Sequence, residues 1–176
     1  GLEIVGGVGL RLHLAGDAFR HLHPGGFHGG DLLRPALDRH ARVLGLVHAS
    51  AAAAEQEKQG KAKEAGENYY LAYEYYRVGR YPVPSSPEKK KCYEGVLRTF
   101  IKAGATMEPP VVRVEIPFEG KKVVGYLQVP KGVNRPPVVM HWGGVDGWKE
   151  DRRTNNDVLL KMGIACFTID MPGAGE

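Results

Sequence analysis

Histidines near the N-terminus are the first side chains in this sequence that could do chemistry. Four of them lie close together, at His13, His21, His23 and His28. Imidazole is a common metal ligand, and a His-x-His pair on a strand would place both rings on one face. No cysteine and no reliable carboxylate partner stands at a ligand spacing beside them. We therefore predict no metal site, interpret these histidines as part of a compositionally biased segment, and predict no cofactor.

Tyrosines further along the chain could bind an aromatic ligand. Tyr69, Tyr73 and Tyr76 share one side of a predicted helix, with Tyr70 beside them. Phenol rings combine contact area with a hydrogen-bonding hydroxyl, so the first three could line a substrate pocket. The alternative is that these rings pack one helix against the next.

Nucleophilic side chains are few. Serine occurs only at positions 50, 85 and 86, and the cysteines are Cys92 and Cys166. None of the serines is flanked by glycines or preceded by a predicted strand, as a nucleophile on a sharp strand-to-helix turn would be. Two cysteines build neither a disulfide framework nor a zinc site, so we expect a reducing, cytoplasmic compartment.

The overall composition is typical of a globular chain with a core. It has 176 residues, of which 43 % are hydrophobic and 25 % charged, and a net charge of +4. This length suits one domain, or one domain with a small appendage. No apolar run of about 18 residues is present, so no membrane span is predicted. The charge is too mild to predict a nucleic-acid partner, which would need a clustered basic face.

Residues 1–50 differ in composition from the rest. They hold six of the seven histidines and ten of the 24 glycines, but no Lys, Asn, Gln, Tyr or Thr. One interpretation is a poorly packed natural segment, within which 31–47 could form a helix with Pro35 in its first turn. The other is a GC-rich reading frame wrongly joined to the gene. Tryptic peptides from residues 12–34 of the native protein would rule out the second.

Three helices are predicted between residues 51 and 106. The first is rich in Ala, Glu, Gln and Lys, which are strong helix formers; Gly60 weakens it and Gly66 ends it. Ser86 caps the third, with Pro87 at the first helical position. The predicted ranges are 51–65, 67–78 and 87–104.

The remainder, 107–176, is rich in predicted strands. Alternating residues over 111–129, around a turn at Glu119-Gly120, predict a hairpin. An apolar run at 136–142, a helix over 156–162 and a second run at 164–170 then predict a βαβ unit, which implies parallel pairing. Because these runs are continuous rather than alternating, both strands are expected to be covered on both faces.

Two motifs in this region resemble a known family. They are Pro137-Val138-Val139-Met140-His141-Trp142-Gly143-Gly144 and Asp170-Met171-Pro172-Gly173-Ala174-Gly175-Glu176. Together with the hairpin they look like the first half of an α/β-hydrolase. Gly144-Val145-Asp146-x-x-Lys149-Glu150 is more closely similar to the fermentation-respiration-switch-type and dihydroxypseudooxynicotine-hydrolase-like serine hydrolases. The resemblance covers roughly 52–176 and implies an incomplete α/β-hydrolase sheet, an antiparallel hairpin plus a parallel βαβ unit, preceded by a helical cap segment over 51–106.

The resemblance implies a role for the glycine-lined bend. In such enzymes the loop after this strand supplies one backbone N–H of the oxyanion hole, and small residues let the main chain approach the developing charge. By motif position the donor is Val145, with Gly144 beside it and Gly143 shaping the turn. The alternative is a plain strand-to-helix turn that needs glycine for its backbone angles.

The remaining motif residues are interpreted as structural. We expect Asp146 and Lys149 to fix the first loop through a local ion pair. In the second loop, we expect Asp170 to accept backbone N–H bonds of its own turn, with Gly173 and Gly175 giving that turn its shape.

One departure from the family pattern decides the functional prediction. A G-x-S-x-G nucleophile, an acid and a histidine would follow the second loop, and the sequence stops before them. We therefore predict a truncated serine hydrolase, inactive as written, whose full-length parent acts on a small-molecule carbonyl substrate; a homodimer is compatible with it. The alternative is a non-catalytic helical interaction module with a remnant sheet.

Overall fold

The computed structural model describes the backbone of residues 34–176 and the side chains of residues 42–176. Three helices form the first half of this range. They are α1 (Arg34–Lys58), α2 (Ala62–Arg80) and α3 (Pro87–Gly104). As predicted, Pro35 lies in the first turn of a helix. That helix crosses residue 50 without a break, so the change in composition does not coincide with an element boundary. The four clustered histidines lie outside the described residues.

The break between α1 and α2 lies at Gly60, not at Gly66. Gly60 has a φ of +73°, which favours glycine and ends a helix. Gly66 lies inside α2, where a Cβ would overlap the side chain of Thr106. The prediction that Gly66 ends the first helix was therefore wrong, because this glycine serves a close approach between two segments and not a change of backbone direction.

Helices α2 and α3 pack against each other and against the sheet. Ser86 caps α3 as predicted, since its Oγ accepts a hydrogen bond from Lys89 N at 3.3 Å. The buried core joins side chains of both helices to β-sheet and loop side chains. Its members are Tyr73, Tyr93, Val96, Phe100, Val111, Tyr126 and Trp148.

The second half forms a four-stranded mixed sheet. Its elements are β1 (Val112–Phe118), β2 (Lys121–Gln128), β3 (Val138–Trp142), a 3-10 helix (Lys149–Arg152), α4 (Arg153–Lys161) and β4 (Ala165–Ile169). The strand order is β1-β2-β4-β3; β1 and β2 form an antiparallel hairpin, and β3 and β4 are parallel. Glu119 and Gly120 have φ values of 46° and 73°, as a tight hairpin turn requires. The predicted α/β fold, a hairpin plus a parallel βαβ unit after a helical segment, is confirmed.

The two parallel strands differ in burial. Strand β4 lies between β2 and β3 and is largely buried, with Ala165 and Cys166 in the core. Strand β3 pairs only with β4 among the described residues, and its Val138, Met140 and Trp142 are each more than half exposed. Within the described residues, the expectation of cover on both faces was therefore wrong for β3, because an apolar run predicts a strand but not whether another element packs over its face. None of the helices within 34–176 is both long and apolar enough to span a bilayer.

Candidate functional site

Two loops lie side by side at one edge of the sheet. The first, residues 143–148, follows β3, and the second, residues 170–176, follows β4. Because the two strands are parallel neighbours, their carboxyl ends meet at the same edge, where α/β folds place ligand sites. Asp170 joins the loops: its Oδ1 accepts from Lys149 N at 2.8 Å and its Oδ2 from Lys149 Nζ at 2.7 Å.

Glycines allow both loops to fold tightly. A Cβ on Gly143 would overlap the carbonyl oxygen of Gly147, so the first loop doubles back on itself at that residue. Gly144, in contrast, has open space around it. In the second loop Gly173 and Gly175 have φ values of 85° and 72°, a region that favours glycine.

Two successive carbonyl groups of the first loop accept hydrogen bonds from buried side chains. The Val145 carbonyl accepts a hydrogen bond from the Trp148 indole N–H at 3.1 Å, and the next carbonyl, of Asp146, accepts one from Arg80 Nη1 at 3.0 Å. Val145 N–H forms no hydrogen bond with any residue of the described range, and the Val145 side chain is 79 % exposed. The bend thus leaves a main-chain donor free beside an open surface.

A buried ionic cluster lies directly after this loop. Lys149 Nζ lies 2.7 Å from Asp170 Oδ2, 2.9 Å from Glu150 Oε1 and 3.1 Å from Glu176 Oε2. Burial opposes the charge on Lys149, but the neighbouring carboxylates hold its pKa above the usual value. Burial raises the pKa of Glu150 to about 6; the charge of Asp170 adds to the rise and Lys149 opposes it. Within residues 42–176, no group of His, Cys, Asp and Glu is arranged to hold a metal ion.

This cluster corrects two predicted contacts. Lys149 pairs with Asp170 and not with Asp146, whose Oδ2 instead accepts from Tyr81 Oη at 3.2 Å. The Asp170 carboxylate accepts a backbone N–H from Lys149, directly after the first loop, and not from its own turn. Both predictions assumed partners near in sequence, whereas the parallel strands bring the two loops together in space.

Asp151 and Arg80 are site residues that the sequence did not reveal. Asp151 accepts hydrogen bonds from Trp148 N at 2.9 Å, from Tyr73 Oη at 2.8 Å and from Arg80 Nη2 at 2.6 Å. Asp151 could have been found from its spacing, because a carboxylate three residues after Trp148 suits the cap of a helical turn. Arg80 has no such signal, since its partners lie far away in sequence.

The three tyrosines make packing and hydrogen-bond contacts within the fold. Tyr73 is buried in the core, and burial beside Asp151 raises the pKa of its hydroxyl. Tyr69 Oη donates to Glu57 Oε2 of α1 at 2.6 Å. Tyr76 packs its ring over Gly95 of α3. The interpretation as packing residues agrees with this placement, while a substrate-binding role stays a prediction.

Known proteins are similar to this chain in sequence. A family model described as "Esterase FrsA-like" matches residues 39–176. The Esterase FrsA of Vibrio cholerae is 31 % identical over 134 residues, covering 75 % of this chain and 31 % of that protein. The 2,6-dihydropseudooxynicotine hydrolase of Paenarthrobacter nicotinovorans is 33 % identical over 77 residues, covering 44 % of this chain and 21 % of that protein.

A solved structure supports the fold as well. The crystal structure of a 2,6-dihydroxy-pseudo-oxynicotine hydrolase matches with a TM-score of 0.66 at 24 % identity, over 74 % of this chain and 37 % of that one. The chain spans about a third of the length of the Vibrio esterase. By the match over residues 39–176, the chain belongs to the FrsA-like esterase family and has the fold of an α/β-hydrolase.

Proposed function

We propose that this chain is the N-terminal part of a serine α/β-hydrolase that cleaves a carbonyl compound, an ester or an acyl or carbon–carbon bond. In this proposal Val145 N–H donates to the negative charge that develops on the carbonyl oxygen during attack. Backbone donors held in advance at such a position are worth a large part of the rate in acyl-transfer enzymes. The nucleophile, the acid and the base belong to residues beyond these 176.

The observation that carries the proposal is the direction of the groups in the 143–148 loop. Two successive carbonyls, of Val145 and Asp146, are held by Trp148 and Arg80, while the Val145 N–H stays free. A turn that only connects a strand to a helix does not need its carbonyls bound and its N–H free. An oxyanion hole does, because a carbonyl oxygen directed at the developing charge would repel it.

The positions of the serines support the second part of the proposal. Ser50 lies within α1, and Ser85 and Ser86 precede α3, so no serine of the chain follows a strand of the sheet. Since the match covers only 31 % of the Vibrio esterase, the remaining machinery is expected in a longer protein. These 176 residues alone are then inactive.

Two variants of Val145 test the oxyanion role. Val145→Pro removes the N–H, and in the longer hydrolase we expect kcat to fall by about 10²–10³-fold, the usual effect of losing one such donor. Val145→Ala keeps the N–H and removes only an exposed side chain, so its kcat is expected to stay within about twofold of wild type. Hydrolysis of p-nitrophenyl esters of short acids provides the assay. Equal activity of the proline and alanine variants would contradict the proposed donor.

A non-catalytic interaction module is the second candidate, favoured by the exposed apolar residues of β3. Such a surface suits a partner chain as well as further strands of a longer sheet. The gene distinguishes the two. A G-x-S-x-G within a few tens of codons after Glu176 is expected for the hydrolase, and a natural stop codon there would favour the module.

A further inference from the structure

The end of helix α2 reaches the first loop through one buried side chain. Arg80 is the last residue of α2, and its side chain is only 1 % exposed. Its Nη1 donates to the carbonyls of Asp146 at 3.0 Å and Pro82 at 3.2 Å, and its Nη2 donates to Asp151 Oδ2 at 2.6 Å. The guanidinium carbon also lies 4.1 Å from the centre of the Trp148 ring. A single arginine thus contacts the loop at two points, Asp146 and Trp148, and binds Asp151 just beyond it.

These contacts fix the two peptide groups that directly follow the Val145 N–H. Arg80 holds the Asp146 carbonyl directly. It also stacks on Trp148, whose indole N–H holds the Val145 carbonyl at 3.1 Å. With both carbonyls bound, the Gly144–Val145 peptide, which carries the free N–H, is anchored at its C-terminal side. Glycine at 143 and 144 would otherwise permit rotation of this peptide at low cost.

Charge explains why an arginine suits this position. A buried guanidinium needs acceptors for its several donors and a countercharge, and Asp151 supplies the countercharge. Asp151 keeps two other donors, Trp148 N and Tyr73 Oη, if the arginine is removed. Replacing Arg80 therefore releases the 146 carbonyl and the Trp148 ring while the start of the 3-10 helix keeps its cap.

We infer that Arg80 is a positioning residue, through which helix α2 holds the Val145 N–H in the direction that the oxyanion requires. This inference rests on the proposed function of Val145. Helix α2 then affects the chemical step without touching the reacting atoms, because it sets the conformation of the 143–148 loop that carries the donor.

Hydrogen exchange tests the structural half in the natural protein that carries these residues. Arg80→Met keeps the length and apolar stem but removes all donors, and we expect exchange of the Trp148 indole N–H, which holds the Val145 carbonyl, to accelerate by about tenfold or more. Arg77→Met is the matched control, because Arg77 lies one turn earlier on α2, pairs with Glu74 at 2.7 Å and lies 3.8 Å from Asp151 Oδ1. It therefore removes a second cation beside Asp151 without removing a hydrogen bond to the 143–148 loop. Unchanged exchange in Arg80→Met would overturn the inference. If that variant fails to fold, Arg80→Lys decides, since a lysine cannot reach Asp146 and Asp151 together.

Kinetics test the catalytic half. We expect Arg80→Met to lower kcat by about 10–100-fold with KM within about twofold, because a misdirected donor weakens the transition state and not the bound substrate. Faster exchange with an unchanged kcat would overturn the positioning role. If the protein with Arg80 intact hydrolyses no carbonyl compound, the proposed function fails, whereas the exchange result still decides whether Arg80 holds the loop.

Discussion

A single buried carboxyl group shows how the site is held together. Glu150 is fully buried and shares Lys149 with Asp170 and Glu176, so the cluster contains more carboxylates than ammonium groups. Burial, with the nearby charge of Asp170, therefore favours the protonated form of Glu150 and raises its pKa to about 6. Ionisation of Glu150 in the folded state therefore lowers the free energy of unfolding.

This pKa predicts a pH-dependent difference between wild type and Glu150→Gln. The folded pKa lies above the ordinary value of 4.5, so folded wild type binds more protons and loses stability as the pH rises from 4.5 to about 6. Between pH 4.5 and about 6, the free energy of unfolding of the glutamine variant should rise by about 2 kcal/mol relative to wild type. Above that range the difference should stay constant. Urea unfolding of both proteins between pH about 2 and about 8 measures the difference.

Glu115→Gln is the control with the opposite sign. Hydrogen bonds from Lys122 and Arg113 lower the pKa of Glu115 to about 2, so its contribution is present above the ordinary pKa and is lost as the pH falls towards 2. As the pH rises from about 2 to 4.5, the free energy of unfolding of Glu115→Gln should fall relative to that of wild type. A Glu150→Gln difference that does not change with pH would contradict the assigned burial of Glu150.

At the level of elements, the first loop depends on a close approach between two stretches of backbone. The turn after β3 brings Gly143 against the carbonyl of Gly147, which is backbone and cannot move aside as a flexible side chain could. Gly144, one residue later, has no neighbour within 4 Å of a Cβ position. Two adjacent glycines thus have different reasons to be there.

Alanine at each glycine tests this difference. Gly143→Ala forces the loop open, and we expect a loss of about 1–3 kcal/mol in the free energy of unfolding, as for other overpacked sites. Gly144→Ala meets no atoms and has no left-handed backbone angle, so its stability should change by less than about 0.5 kcal/mol. Chemical unfolding of the two variants checks the prediction, and equal losses would show that the loop does not double back at 143.

For the whole molecule, the sheet ends on an apolar strand. Val138, Met140 and Trp142 of β3 are exposed along a strand that pairs on one side only among the described residues. An apolar strand with an unpaired edge is a template for pairing with another chain. We therefore expect the 176-residue chain, expressed alone, to self-associate or to unfold readily.

A charge on this strand should reduce the association. Met140→Lys places an ammonium group on the strand, which disfavours strand pairing between copies. Val43→Lys makes a similar change at an equally exposed apolar residue of α1, away from any strand, and should have little effect. Sedimentation velocity over a range of concentrations distinguishes the variants. A monomeric wild-type chain with a cooperative melting transition would contradict the expectation.

Local patterns in the sequence were sufficient to predict the strands and the presence of helices before them, but not where α1 ends and α2 begins. The hairpin around Glu119-Gly120, the cap at Ser86 and the parallel βαβ unit all depend on the period of apolar residues or on turn residues within a few positions. The motifs at 137–144 and 170–176 likewise indicated the family. These features were predictable because backbone periodicity, capping and turn angles are decided by neighbours along the chain.

The contacts that hold the site were decided only by the tertiary structure. Lys149 pairs with Asp170 across 21 residues, and Arg80 reaches Asp151 across 71. No local pattern distinguishes these partners from other charged residues. The pairing depends on which loops the strand order brings together and on how the end of α2 packs against them. The sequence by itself determined the strands, the turns and the family; packing over long distances determined which charges are buried and which backbone N–H stays free.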